Sequence, residues 1–223
     1  MRGVDAVLFD LDGVLVDSEA YSLTSTRLLF EELGTPWRDS LFEETFGKRT
    51  SENLAIFKGK YGWKPSVPWL VRRKNDIFLD LIRGRLKPLP GVVALLKDLE
   101  AARVPLAVVS ASPRRRVLGS LDEAGLEGFF ATVVSGDDVS CCKPSPAPYR
   151  LGLRRLKASA GKSVAIEDTD SGVASATAAG IVCLGVRSPN TFGQTLGGAN
   201  KVVGSLKGVD AEFLCGLVAR RKG

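Results

Sequence analysis

No histidine occurs among the 223 residues of the chain. That excludes Ser-His-Asp and Cys-His triads, phosphohistidine chemistry and histidine-ligated zinc. Any proton transfer or nucleophilic step must fall to carboxylates, lysine, tyrosine or hydroxyl groups. Cysteine is sparse as well. Cys141, Cys142, Cys183 and Cys215 form no C-x-x-C pair, and adjacent Cys141 and Cys142 are poorly placed to bridge each other. A reducing, cytoplasmic setting fits best, with Cys183 and Cys215 serving as small buried hydrophobes. The chain shows no signal-peptide pattern and no apolar run of membrane length, so no membrane association is expected. Lys plus Arg outnumber Asp plus Glu by 31 to 25, a formal net charge of +6. A basic balance suits nucleic acid or small phosphorylated substrates equally. There is no aromatic-and-basic RNA-binding pattern and no helix-turn-helix signature, so a small molecule is the expected partner and nucleic acid is not. Arg114-Arg115-Arg116, Arg154-Arg155 and Arg220-Arg221-Lys222 are short and scattered, and read as solvated helix faces and a frayed C-terminus.

What is present begins with Val7-Leu8-Phe9-Asp10-Leu11-Asp12-Gly13-Val14-Leu15-Val16-Asp17-Ser18. Ala6 to Phe9 is an apolar run that reads as a buried strand, and Gly13 supplies backbone freedom for a turn. Period two places Asp10 and Asp12 on one side of an extended segment, where like charges repel unless a cation separates them. Taken alone, the stretch fits either a polar turn or a magnesium site.

The pattern then turns helical. Glu19 to Leu33, Leu41 to Phe46, Glu52 to Lys60 and Trp69 to Arg83 read as helices, and no strand interrupts the stretch from Glu19 to Arg85. It looks like a helical insertion over 17–85, between 1–16 and 86–223. From Leu89 strands and helices alternate. Leu106 to Val109, Thr132 to Ser135, Ser163 to Ile166 and Ile181 to Val186 read as strands. Helices are expected from Pro90-Gly91 to Ala102, after an N-cap at Ser112-Pro113, from Ser145-Pro146 to Leu156, and over Ser171 to Ala179. The fold class is therefore α/β, a doubly wound and mainly parallel sheet of Rossmann-like form. Gly161-Lys162-Ser163 has the ending of a phosphate-binding loop, but Leu156 stands where the first glycine belongs, and the segment precedes a strand. It is a turn. The Ser188 to Gly198 segment reads as a loop.

Polar residues gather where the apolar strands end: Asp10 and Asp12, Ser110, then Glu167 and Asp168. Lys143 lies in the loop after the Thr132 strand. In a parallel sheet these ends share one edge, where ligands bind. Together they form a phosphoryl-transfer site. Carboxylates and a backbone carbonyl can hold Mg²⁺, and Asp10 can attack phosphorus to give an aspartyl phosphate. Asp12 can move the proton, while Ser110 and Lys143 face the non-bridging oxygens.

Four ordered motifs, Phe9-Asp10-Leu11-Asp12-Gly13-Val14-Leu15, Val109-Ser110, Lys143-Pro144 and Glu167-Asp168, resemble those of the haloacid dehalogenase superfamily. The chain is most similar to its phosphosugar phosphatase and β-phosphoglucomutase branch. The resemblance implies Asp10 as nucleophile and Asp12 as acid and base. It puts Asp10, the Asp12 carbonyl and Asp168 on Mg²⁺ with Glu167 in support, and makes the helical insertion a mobile cap. It also makes Ser112 and Arg114, with Arg49, Thr50 and Lys74 in the cap, candidates for substrate contacts. Pro113 and Arg114 stand where the mutase has a lysine and an asparagine, and Ser22 where it has a histidine. Hydrolysis of a small phosphate ester is thus favoured over a mutase reaction. A receiver-type signalling module fits less well, because it carries its acceptor after a later strand and has no large insertion. A monomer is expected.

Overall fold

A computed structural model describes residues 3–38, 41, 50–188 and 193–220. The chain divides into two compact units, Ser18–Leu86 and Met1–Asp17 with Lys87–Gly223. The first is helical among its described residues: α1 (Glu19–Glu32), α2 (Thr50–Tyr61) and α3 (Val67–Ile82). Helix α3 starts two residues before the expected position. Pro68 is tolerated in a first turn, where its missing N–H has no intrahelical partner to lose, and the Trp69 amide donates to Ser66 Oγ at 3.4 Å. Leu41 is helical, but the rest of the expected Leu41 to Phe46 helix lies outside the described residues.

Aromatics make up only 7% of the chain, and this unit concentrates them. Phe30 is fully buried and meets Trp37, Phe57, Tyr61 and Trp63 edge-on, with centroids 4.8–5.7 Å apart. Edge-to-face rings match positive rims to negative faces, which adds directional preference to the burial. Leu29, Leu54 and Leu70 fill in around them.

The second unit is built on six parallel strands: β1 (Ala6–Phe9), β2 (Leu106–Val109), β3 (Thr132–Val134), β4 (Ser163–Glu167), β5 (Val182–Val186) and β6 (Lys201–Val203). Their order is β3-β2-β1-β4-β5-β6, with Leu8 opposite Ala107 on one side and Ala165 on the other. Strands β1, β2, β4 and β5 are buried at every residue, as strands covered on both faces must be. The connecting helices are α4 (Val92–Ala101), α5 (Arg114–Glu123), α6 (Ala147–Leu156), α7 (Asp170–Ala178) and α8 (Ala211–Arg220). Ala6, Leu8, Ala107, Val109, Ala165 and Cys183 alternate along their strands, and pack on one face with Tyr149 and Leu153 of α6 and Val173 and Ala176 of α7. Phe9, on the opposite face, meets Phe130 edge-on at 6.0 Å.

Strand β6 and helix α8 were not expected. Lys201–Val203 is a three-residue edge strand with no fully buried residue, too short to show a period. The expected loop over Ser188 to Gly198 ends in the core: Leu196 is buried there, although its backbone has a positive φ of 55°. Asp170 anchors that turn by accepting from the Leu196 amide at 2.6 Å.

Phe30→Ala removes the hub of the aromatic cluster. It should destabilise the helical unit by about 3–5 kcal/mol, as for large buried aromatics generally. In denaturant titrations with tryptophan fluorescence, the transition reporting on Trp37, Trp63 and Trp69 should move to lower denaturant; an unmoved midpoint would show that the cluster contributes no stability.

Candidate active site

The strand order reverses at β1: the chain runs from β1 to β2 in one direction and adds β4 on the other side. A crevice opens at such a point beyond the carboxyl ends of the strands. Into it project Asp10 and Asp12 from β1, Ser110 from β2, and Glu167 and Asp168 from β4. The Asp10 amide extends the ladder by donating to the Ile166 carbonyl at 3.0 Å. The chain then turns sharply, with the Leu15 and Val16 amides both reaching the Leu11 carbonyl, at 2.9 and 3.1 Å.

Gly13 makes that turn possible for two reasons. Its φ is +82°, which L side chains rarely adopt, and a Cβ there would lie 1.9 Å from Asp168 Oδ2. The loop after β1 therefore closes directly against the carboxylate that ends β4. Gly172, in the first turn of α7, does the same for Glu167: a Cβ there would lie 1.9 Å from Glu167 Oε2.

The Lys143 side chain is almost fully buried and bridges two carboxylates, Asp10 Oδ1 at 2.6 Å and Glu167 Oε1 at 2.5 Å. Tyr149 donates its hydroxyl to the same Glu167 oxygen at 2.7 Å, and the Lys143 ammonium sits 5.4 Å from the centre of the Tyr149 ring. Burial works against the lysine's charge, but Asp10 and Glu167 outweigh it and lift the ammonium above its ordinary pKa range. Burial raises the Tyr149 phenol well above its usual value, and Glu167 and Asp10 add to the effect. Both groups are thus held protonated, as donors.

Asp10, Glu167 and Asp168 each offer an oxygen within 4.8 Å of the others. Asp168 Oδ1 is buried with no hydrogen-bond partner among the described residues. Burial, followed by repulsion from Asp10 and Glu167, pushes the Asp168 carboxyl far above the usual carboxylate range. Asp10 moves the same way, by burial and the Glu167 and Asp12 charges, with Lys143 opposing. A hard divalent cation would relieve this repulsion and engage the orphaned oxygen, so the donor set fits Mg²⁺. Glu167 is committed to Lys143 and Tyr149 through Oε1, with Thr169 Oγ1 3.4 Å from Oε2, and its support for the cluster runs through those contacts.

Asp12 is held differently. Ser112 Oγ donates to its Oδ2 at 3.0 Å and Arg116 Nη2 to its Oδ1 at 3.1 Å. Two expectations change here. Ser112 does not cap α5: Pro113 occupies the cap position, and the Arg114 amide donates instead to Asp137 Oδ2 at 2.8 Å. Arg116 is not on a solvated face but is buried to 5% exposure, whereas Arg114 and Arg115 are exposed. A signal for it was available. Arg116 shares its face of α5 with Ser120 and flanks Val117 and Leu121, and all four are buried. Tyr149 was missed too; it lies four residues before Leu153 on the inner face of α6.

Ser110 is buried, and its Oγ accepts from the Ser112 amide at 3.1 Å. The Arg114 guanidinium lies 3.3 Å from Asp138, away from Asp12. Arg155, expected to be solvated, reaches the same Asp138 at 2.7 Å. Thr50 and Lys74 belong to the helical unit; Lys74 is buried, with Nζ 3.4 Å from Ser22 Oγ. Arg49 lies outside the described residues. No helix among the described residues is long and apolar enough to cross a membrane.

The chain is similar to known proteins in sequence and in fold. A phosphorylated carbohydrates phosphatase of Thermotoga maritima is 34% identical over 178 residues, covering 80% of this chain and 82% of the relative. Among solved structures, CbbY from Rhodobacter sphaeroides in complex with phosphate superposes with a TM-score of 0.87 at 26% identity, covering 95% of this chain and 99% of that one. A putative β-phosphoglucomutase from Thermotoga maritima gives 0.73 at 31% identity, covering 98% of each. The family model of haloacid dehalogenase-like hydrolases matches residues 7–186, a span that runs from β1 to the end of β5. The chain belongs to that family.

Proposed function

We propose that the chain is a Mg²⁺-dependent phosphatase of small phosphorylated sugars or related metabolites, working through an aspartyl phosphate on Asp10. The observation that carries this reading is the buried Asp10 carboxylate, clamped by Lys143 beside an Asp168 oxygen that has no hydrogen-bond partner among the described residues. The names of the Thermotoga phosphatase and the phosphate-bound CbbY support the substrate class.

In the first step an Asp10 carboxylate oxygen attacks phosphorus, the ester P–O bond breaks, and Asp12 delivers a proton to the departing alkoxide. In the second, water attacks the phosphorus of the acyl phosphate while Asp12 takes up its proton, and Asp10 leaves as a free carboxylate. Ser110 and Lys143 donate to the non-bridging oxygens, where charge must be held through both steps. Asp10, the Asp12 carbonyl and Asp168 would hold Mg²⁺, which supplies charge neutralisation for the incoming phosphate dianion. Tyr149 and Glu167 keep Lys143 aimed at Asp10.

A mutase must hold a bisphosphate by both ends. Pro113 offers no cation for the distal phosphate, and the Arg114 guanidinium faces Asp138. Both favour hydrolysis.

Asp10→Asn should lower phosphate release from a phosphosugar panel by at least about a thousandfold, a loss typical of removing a nucleophile. A wild-type rate in that variant would remove Asp10 from the mechanism. With β-glucose 1-phosphate and a trace of its bisphosphate, free phosphate and glucose are expected; accumulation of glucose 6-phosphate would establish the mutase instead. EDTA should abolish turnover and Mg²⁺ restore it.

Stability gives a second readout of the metal site. Asp10 and Asp168 titrate above their unfolded value of 3.8, so the folded metal-free protein binds more protons than the unfolded chain above that value. Their contribution therefore favours folding at low pH and is lost as pH rises toward neutrality. Urea midpoints of the EDTA-treated protein should fall between about pH 5 and about pH 8, and Mg²⁺ should flatten that fall. If Mg²⁺ leaves the pH dependence unchanged, the carboxylate cluster does not bind the ion.

A further inference from the structure

Arg116 is an expensive residue in its position. It stands in the first turn of α5, where the helix dipole disfavours positive charge, and only 5% of it is exposed. A guanidinium keeps its proton at every accessible pH, so the charge cannot be shed on burial. Its neighbours Arg114 and Arg115 carry the same charge in solvent, which shows that the start of α5 does not require a buried cation. Burial at 116 brings the guanidinium onto the Asp12 carboxylate. Nη2 lies 3.1 Å from Asp12 Oδ1, while Ser112 Oγ binds Oδ2 at 3.0 Å.

The two donors hold the two oxygens from successive parts of one segment. Ser112 is itself tied back, its amide donating to Ser110 Oγ at 3.1 Å. The carboxylate is thus fixed in rotation as well as in place, yet the Asp12 side chain keeps 24% of its surface open. Arg116 is one of the most enclosed charges of the site, and its Nη2 is bonded to the residue assigned to proton transfer.

We infer that Arg116 is a positioning residue for the acid–base step, holding the Asp12 carboxylate so that its exposed edge meets the ester oxygen of the leaving group. This rests on the reading of Asp12 as the acid and base. Because Arg116 cannot transfer a proton itself, its effect appears only where a proton is needed. Departure of an alkoxide from a phosphosugar needs one, whereas departure of acetate from acetyl phosphate does not. A guanidinium that gripped the phosphoryl group would serve both substrates alike.

The test measures kcat/KM for the best phosphosugar and for acetyl phosphate, in the intact protein and in Arg116→Met, Arg116→Lys, Asp12→Asn and the Asp12→Asn/Arg116→Met double variant. General acid–base assistance is typically worth a hundredfold or more. Arg116→Met should therefore lose about a hundredfold on the phosphosugar and less than about threefold on acetyl phosphate. Arg116→Lys should recover part of the loss. In the Asp12→Asn background, removing Arg116 should cost nothing further, because a residue that acts through Asp12 has nothing left to position.

Equal losses on both substrates, a further loss in the double variant, or an undiminished phosphosugar rate would each overturn the positioning role. A variant that merely misfolds loses both substrates alike, and Arg116→Lys, which keeps the charge, then repeats the comparison in a less disturbed protein. Failure of the underlying reading looks different. Asp12→Asn would then lower kcat/KM equally for phosphosugar and acetyl phosphate. That ratio reads only the steps through departure of the leaving group, and so leaves out the hydrolysis of the aspartyl phosphate that both substrates share.

Discussion

Among the described residues, four carboxylates and two cations meet at the strand ends, and this excess of negative charge governs the site. Arg116 answers Asp12, and Lys143 is shared between Asp10 and Glu167. Asp168 feels Lys143 only at a distance, and one of its oxygens has no hydrogen-bond partner among the described residues. Burying an unbalanced charge costs several kcal/mol, so a fold that retains one gives up stability at that point. The same excess of negative charge would favour a divalent ion placed among these oxygens, as the proposed phosphatase reaction requires. Instability of the empty cluster and affinity for the ion are two readings of one electrostatic fact.

The sheet order explains how such a cluster can be built at all. Residues adjacent in sequence contribute Asp10 and Asp12, but the remaining members come from segments far along the chain. Parallel pairing of β1 with both β2 and β4 brings their carboxyl ends to one edge in fixed register. Glycines at 13 and 172 then remove the steric barrier between loops and carboxylates. The close approach of Gly13 to Asp168 locks the β1 and β4 contributions together, so the cluster is a property of the fold and not of any one loop.

The parts legible in the sequence were those with strong local signatures. Ala6–Phe9 and Leu106–Val109 are continuous apolar runs of strand length ending in polar residues, as buried parallel strands are. The absence of histidine directed attention to the carboxylates, and their positions at strand ends grouped Asp10, Asp12, Ser110, Glu167 and Asp168. Strand β6 escaped because three half-exposed residues at a sheet edge carry no period. Arg116 escaped because three consecutive arginines look alike in sequence, and only the 100° step of a helix turns one inward while leaving two outside. The hydroxyl of Ser112 was assigned to a helix cap, a local bond, where tertiary structure offered it a carboxylate a hundred positions away. Long-range partners of this kind outcompete local ones when the local bond leaves a buried charge unsatisfied.

The central place of β1 has a consequence for how the protein is made. Of the six strands, the first to be translated is an interior strand of the finished sheet, and both its neighbours are translated much later, β2 roughly a hundred residues on and β4 later still. Until β4 emerges, Ala6–Phe9 is an apolar segment with an unpaired edge, while the contiguous helical unit can already collapse around Phe30. Asp10 and Asp168 are brought together only once β4 is in place. A nascent chain can therefore pack its helical unit well before its carboxylate cluster exists.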